Sequence, residues 1–118
     1  MAKNLSVSVL MDFYGGLLTE KQREAIELYY DQDFSLAEIA EHMDISRQGV
    51  RDFIKRGEKQ LEEFEEALGL LARFSKISDE LAALSAEIEN LRLLPISKAQ
   101  KSVVAKMSAI IDKMENDI

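Results

Sequence analysis

The chain has no cysteine and no tryptophan, a single proline and a single histidine. Without cysteine there is neither a disulfide nor a thiolate metal ligand, which fits a reducing cytoplasm. His42 stands alone, with no carboxylate at metal-site spacing, and reads as an exposed helical residue rather than a ligand. No metal and no cofactor is expected. The serines fall at helix caps or on polar helical faces, with no histidine–carboxylate arrangement to activate one. No GxxxxGK[ST] loop is present to cradle phosphates. Catalysis therefore finds no support, and the chain reads as a non-enzyme. Long apolar runs are missing too. The segment MAKNLSVSVLMDFYGG has one lysine, a short interrupted apolar stretch and no cleavage site. It falls far short of the ~20 apolar residues that span a bilayer, so a soluble chain without membrane insertion is expected.

What is present is an all-helical pattern. Hydrophobic residues make up 47% and charged residues 31% of the 118 positions, a globular composition with enough length for a core. No stretch alternates with the period of a strand, and there is no internal repeat. The spacing predicts a first helix over about Asn4–Tyr14, with Leu5, Val9, Phe13 and Leu17 as its apolar row. Gly15-Gly16 should end it, glycine taking the left-handed conformation most easily. Thr19 and Gln22 form a capping box that opens a helix over Glu20 to about Gln32, with Ala25, Ile26, Leu28 and Tyr29 facing inward. Asp31-Gln32-Asp33 reads as a loop.

The stretch from Ser35 to Leu61, SLAEIAEHMDISRQGVRDFIKRGEKQL, organises the rest. Ser35 and Glu38 make a second capping box, and Leu36, Ile39, Ala40 and Met43 give one apolar stripe. Asp44-Ile45 breaks that stripe, and Ser46 is placed to cap a second helix whose inward face is Val50, Phe53, Ile54, Gly57 and Leu61. These are the requirements of a helix-turn-helix, met one by one. Ala40 supplies the small residue at the crossing, Asp44 tolerates a left-handed backbone, and Ile45 plugs the gap. The outward face then carries Ser46, Arg47, Gln48, Arg51, Asp52 and Lys55. The first turns of a recognition helix are where side chains reach base edges; arginine can grip guanine with two hydrogen bonds and glutamine can do so for adenine. Arg47, Gln48 and Arg51 are the expected base readers, with Ser46 and Lys55 on phosphate. An ion pair of Arg56 with Asp52, or of Lys59 with Glu62 or Glu63, is the plainer alternative for those two basic residues.

Beyond Leu61 the apolar seam continues through Phe64, Leu68 and Leu71. Ser75-Lys76-Ile77-Ser78 looks like a break, with Ser78 capping a new helix that carries Leu81, Leu84, Ile88 and Leu91. Pro95 ends it. Ser97 caps a last helix to about Asn116, with Val103, Val104, Met107, Ile110, Ile111 and Met114 on its apolar side. Two domains follow: residues 1–74, a winged-helix-like or sigma-region-4-like helix-turn-helix unit, and residues 75–118, a helical extension. The extension is either a hairpin packed on the same chain or the seam of a homodimer, which would set two recognition helices ~34 Å apart on a two-fold site.

Leu18 to Leu61, LTEKQREAIELYYDQDFSLAEIAEHMDISRQGVRDFIKRGEKQL, resembles region 4 of bacterial sigma factors. Together with the upstream DFYGGLLTEKQ it resembles more closely the YlxM-like family of small bacterial helix-turn-helix proteins. Asp44 departs from the commoner glycine of the turn. The resemblance covers roughly the first 70 residues and implies a cytoplasmic, sigma-region-4-like transcription regulator that binds double-stranded DNA. The family's gene neighbourhood implies an alternative, an accessory of the signal recognition particle pathway that contacts the particle's RNA or its protein subunit.

Charge sets a condition on both. The net charge is −7, against the grain for a general nucleic-acid binder. Between Ser46 and Gln60, however, five basic residues stand against two acidic ones, a local +3, leaving −10 on the remainder. Such a chain can approach DNA through one helix only.

Overall fold

The computed structural model describes residues 3–117. Met1, Ala2 and Ile118, the outermost residues of the N-terminal segment and of the C-terminal extension, lie outside the described residues. Six α-helices follow one another: α1 (Ser6–Tyr14), α2 (Glu20–Tyr30), α3 (Leu36–Met43), α4 (Arg47–Leu68), α5 (Leu70–Arg92) and α6 (Lys98–Asp117), with a 3₁₀ turn over Gly15–Leu17. No strand occurs among the described residues, so the all-α reading stands and a β-wing has nothing to rest on. The chain forms two compact units, one closing at Leu71 and the next beginning at Ala72.

In the first unit, the capping signals act as written. Thr19 Oγ1 accepts from Gln22 N–H (3.3 Å) while Gln22 Oε1 accepts from Thr19 N–H (3.2 Å). Ser35 and Glu38 do the same for α3, at 3.1 Å each way. Each pair satisfies two of the donors that a helix start leaves open. The core joins Val7, Leu10 and Tyr14 of α1, Ala25, Ile26 and Tyr29 of α2, Ile39 of α3, and Val50, Ile54 and Leu61 of α4. Fully burying a side chain such as Ile26, Ile54 or Leu61 contributes about 1.5–3 kcal/mol apiece, so α4 is held mainly by this stripe.

The expected face of α1 is wrong. Leu5 is 82% exposed and Val9 41%, while Val7, Leu10 and Tyr14 are buried. Six of the nine residues of SVSVLMDFY are apolar, so two helical rows compete, and contact with α4 selects the one carrying Tyr14. Gly15 does not turn left-handed either. Its φ is −54° and the chain runs straight into the 3₁₀ turn.

The expected break at Ser75–Ser78 is absent, since α5 runs through it unbroken. The interruption lies at Gly69, which takes φ 63° and closes α4 with its N–H on Glu65 O at 2.8 Å. The buried Tyr14 secures this corner. Its hydroxyl donates to Glu65 Oε1 (2.6 Å) and accepts from Leu70 N–H (3.0 Å), and Glu65 Oε1 also takes Leu71 N–H (2.8 Å). Burial, and then the Glu65 carboxylate, push the Tyr14 phenol above its ordinary range.

In the second unit, Ile88 of α5 packs with Val104 and Ile111 of α6, and Leu91 and Ile96 sit against them, so α5 and α6 form a hairpin through residues 93–97. Ser97 caps α6 through a box with Gln100: Ser97 Oγ accepts from Gln100 N–H (3.1 Å) and Gln100 Oε1 from Ser97 N–H (2.8 Å). Among the described residues no helix is long and apolar enough to cross a membrane.

Candidate nucleic-acid interface

The turn between α3 and α4 depends on one residue that leaves the usual backbone regions. Asp44 takes φ 54°, ψ 48°, the left-handed cap expected of it, and Ile45 N–H returns to Ala40 O at 3.1 Å. Ile45 then packs, half-buried, against the core, as Met43 and Phe53 also do. Ser46 Oγ accepts from Gly49 N–H at 2.9 Å and caps α4, which starts at Arg47. Each step makes the next possible, and together they fix where the first turn of α4 points.

Contacts with α2 position the rest of α4. Gly57 lies so close to α2 that an added Cβ would stand 2.4 Å from Ile26 Cδ1. Tyr30 donates to Glu58 Oε1 (2.7 Å) and accepts from Asn4 N–H (3.1 Å), linking α4 to both earlier segments. Burial first, then the Glu58 carboxylate, push the Tyr30 phenol up to about 12, with the Asn4 N–H pulling the other way. A neighbouring bond fixes the α2–α3 loop: Lys3 pairs with Asp33, itself left-handed at φ 59°, and lowers the pKa of that carboxyl.

Against this scaffold the five candidate residues differ in state. Arg47 and Lys55 are exposed, and among the described residues neither forms an ion pair. Arg51 is half-buried and its Nε is covered with no hydrogen-bond partner, so its stem lies against the protein. Arg47, Arg51 and Lys55 follow one another at i+4 and make a single row along the helix. Gln48 is not free as the sequence suggests, because its Nε2 donates to Asp52 Oδ1 at 3.0 Å. That bond takes one of two amide hydrogens and leaves the other, plus the carbonyl oxygen, which is the pair a bidentate contact with adenine uses. Asp52 therefore orients Gln48, a role that its i+4 spacing could have signalled. Ser46 likewise spends an acceptor on its cap and keeps its hydroxyl hydrogen to donate.

The neighbouring basic residues divide. Arg56 is exposed and makes no ion pair with Asp52, whereas Lys59 comes within 4.0 Å of Glu63. His42 is exposed beside Glu24, at 3.5 Å. Among the described residues no group of three or more His, Asp or Glu is arranged to hold a metal ion.

The whole of this architecture has relatives. Residues 1–116 match the model of the UPF0122 family, described as "Putative helix-turn-helix protein, YlxM / p13 like". The chain belongs to that family. A UPF0122 protein of Halalkalibacterium halodurans is 55% identical over 87 residues, 74% of this chain and 80% of the relative. One from Thermoanaerobacter sp. (strain X514) is 53% identical over 88 residues, 75% of each chain. A third, from Clostridium kluyveri, is 39% identical over 118 residues, all of this chain and 96% of the relative. The family match thus extends beyond the helix-turn-helix into α5 and α6, where the sequence offers no motif.

Proposed function

We propose that this chain is a non-enzymatic, cytoplasmic DNA-binding regulator, with residues 1–74 as its binding domain and residues 75–118 as its extension. The first turns of α4 enter the major groove. Arg47, Arg51 and the Asp52-oriented amide of Gln48 read base edges, while Ser46 and Lys55 hold phosphate. The observation that carries this is the unpaired basic row Arg47–Arg51–Lys55 at the start of the second helix of a helix-turn-helix. Within residues 1–74 the other helices are acidic on balance, so this row is where that domain best receives phosphate.

The test is selection of duplexes from a random library, followed by titration of selected and random DNA at several salt concentrations. Arg51→Ala should weaken the selected duplex by about 1–3 kcal/mol and relax specificity at one base pair. Lys55→Ala should weaken all duplexes alike and reduce the salt slope by about 1. Equal affinity of the parent chain and of Arg51→Ala for selected and random DNA would refute the reading. The alternative, a role with the signal recognition particle, rests on the family resemblance. Titration of the particle's RNA and protein subunit in the same assay separates the two.

A further inference from the structure

The hairpin of α5 and α6 is thin and has two unlike sides. Its buried apolar residues are Leu81 and Ile88 on α5, and Val104 and Ile111 on α6. So small a core seldom holds a unit of this length together without an added staple or a partner. Along α5, Ile77, Leu84 and Leu91 recur every seven residues beside that core. Along α6, Val103, Met107, Ile110 and Met114 recur at spacings of four and three, the pattern of a coiled-coil seam. Val103 keeps 56% and Ile110 60% of its surface exposed, and Ile77, Leu84, Met107 and Met114 are exposed as well. The two helices run in opposite directions, so these rows fall on the same side of the hairpin. There Leu91, Val103 and Met107 line a common groove of about 370 Å³. The opposite side carries serine and charge, for example Ser85, Arg92, Lys101 and Asp112.

The edges of the apolar side identify what covers it. Glu80 and Glu87 flank the row on α5, and Lys106 and Lys113 flank the row on α6, each pair seven residues apart. All four are exposed, and among the described residues none has an ion-pair partner. Ile88 packs with both Val104 and Ile111, so Glu87 stands near the height of Lys106 and Glu80 near that of Lys113, on opposite margins of the face.

We propose that this face is closed by a second copy of the chain. The two hairpins meet about a two-fold axis parallel to their helices and form an antiparallel four-helix bundle, with α5 of one copy over α6 of the other. A rotation about such an axis preserves height. It brings Glu80 and Glu87 of one copy to Lys113 and Lys106 of the other, and Lys76 to Asp117. Setting α5 over α5 instead would oppose glutamate to glutamate and lysine to lysine, which is destabilising. This inference does not depend on what α4 binds.

The test is the mass of the intact chain by light scattering and sedimentation at micromolar concentration. The expected value is twice 13.4 kDa. Val103→Glu with Ile110→Glu should give a helical monomer. Glu80→Lys with Glu87→Lys should weaken the dimer at least about tenfold, and adding Lys106→Glu and Lys113→Glu to the same chain should restore it. The restoration keeps the proposal testable even if the apolar variant fails to fold. A monomer at every concentration overturns the proposal, whatever else then covers the face. So does a dimer indifferent to the glutamate substitutions, or a weakened one that the lysine substitutions fail to rescue.

Discussion

Replacing Gly57 by alanine sets two effects of opposite sign against each other at the closest approach of α4 to α2. In an exposed helix the change stabilises by about 0.8–1 kcal/mol, because glycine loses more backbone freedom on folding. At position 57 the new Cβ would stand 2.4 Å from Ile26 Cδ1, 3.5 Å from Ile26 Cγ1 and 3.7 Å from Gln22 Cβ. Carbon atoms rest at about 3.5–4.0 Å, so roughly 1 Å must be found. Ile26 is fully buried and Gln22 nearly so, and the methyl group has no solvent to swing into. Overpacking of this kind costs about 1–3 kcal/mol. The net expectation for Gly57→Ala is a loss of up to about 2 kcal/mol. Urea unfolding followed by circular dichroism measures it directly.

Ile26→Val removes the offending atom and alone should cost about 0.5–1.5 kcal/mol. In that background Gly57→Ala should turn from destabilising to stabilising, a coupling of at least about 1 kcal/mol between the two sites. If Gly57→Ala stabilised the parent chain by the full helix-propensity gain, with no coupling to Ile26, the close approach that positions α4 would be refuted.

Two further outcomes follow from backbone and charge. Asp44→Gly places at φ 54° the residue that tolerates a left-handed backbone best and should raise stability by up to about 1 kcal/mol, since left-handed backbone costs most residues about 1–2 kcal/mol and glycine gives part of that back as unfolded-chain entropy. A loss on thermal melting would mean that the aspartate makes a compensating contact. Tyr30 holds its proton to about 12 in the fold against an ordinary 10.0, and Tyr14 shifts the same way. The stability they contribute is whole below pH 10 and is lost as pH rises toward 12. Melting temperature should therefore fall across that window, and less steeply in Tyr30→Phe; equal slopes would remove Tyr30 as a cause.

Local grammar made much of the fold legible. Thr19 with Gln22, Ser35 with Glu38, Ser46, and Asp44 each announce a helix boundary through a hydrogen bond made within three or four residues, and each occurs where expected. What was not legible depends on distant parts of the chain. The face of α1 was misread because its apolar residues fill two rows, and only contact with α4 decides between them. The break after α4 lies not at Ser75–Ser78, serines that a helix tolerates, but at Gly69, turned left-handed beside Tyr14. The candidate site splits the same way. Its helix, cap and basic row were readable, whereas the half-burial of Arg51 and the Gln48–Asp52 bond depend on how side chains settle.

The charge balance connects the two proposals. Of the basic row one copy sets only Lys55 on phosphate, which gives a salt slope of only about −1 for duplex DNA. That is shallow for a chain whose net charge is −7. A single α4 therefore has little electrostatic affinity to spare for selecting among sites. A dimer joined through α5 and α6 changes this by bringing a second α4, with the same contacts, to the same duplex. Once the first copy is bound, the second is held nearby and binds as an intramolecular event, which can raise avidity by about 10²–10⁴. If both proposals hold, the monomeric Val103→Glu, Ile110→Glu chain should lose roughly half the salt slope along with most of the affinity, although every residue of α4 is untouched. Loss of affinity with the slope unchanged would instead place the apolar face within the DNA-binding unit's own stability and not in a second copy.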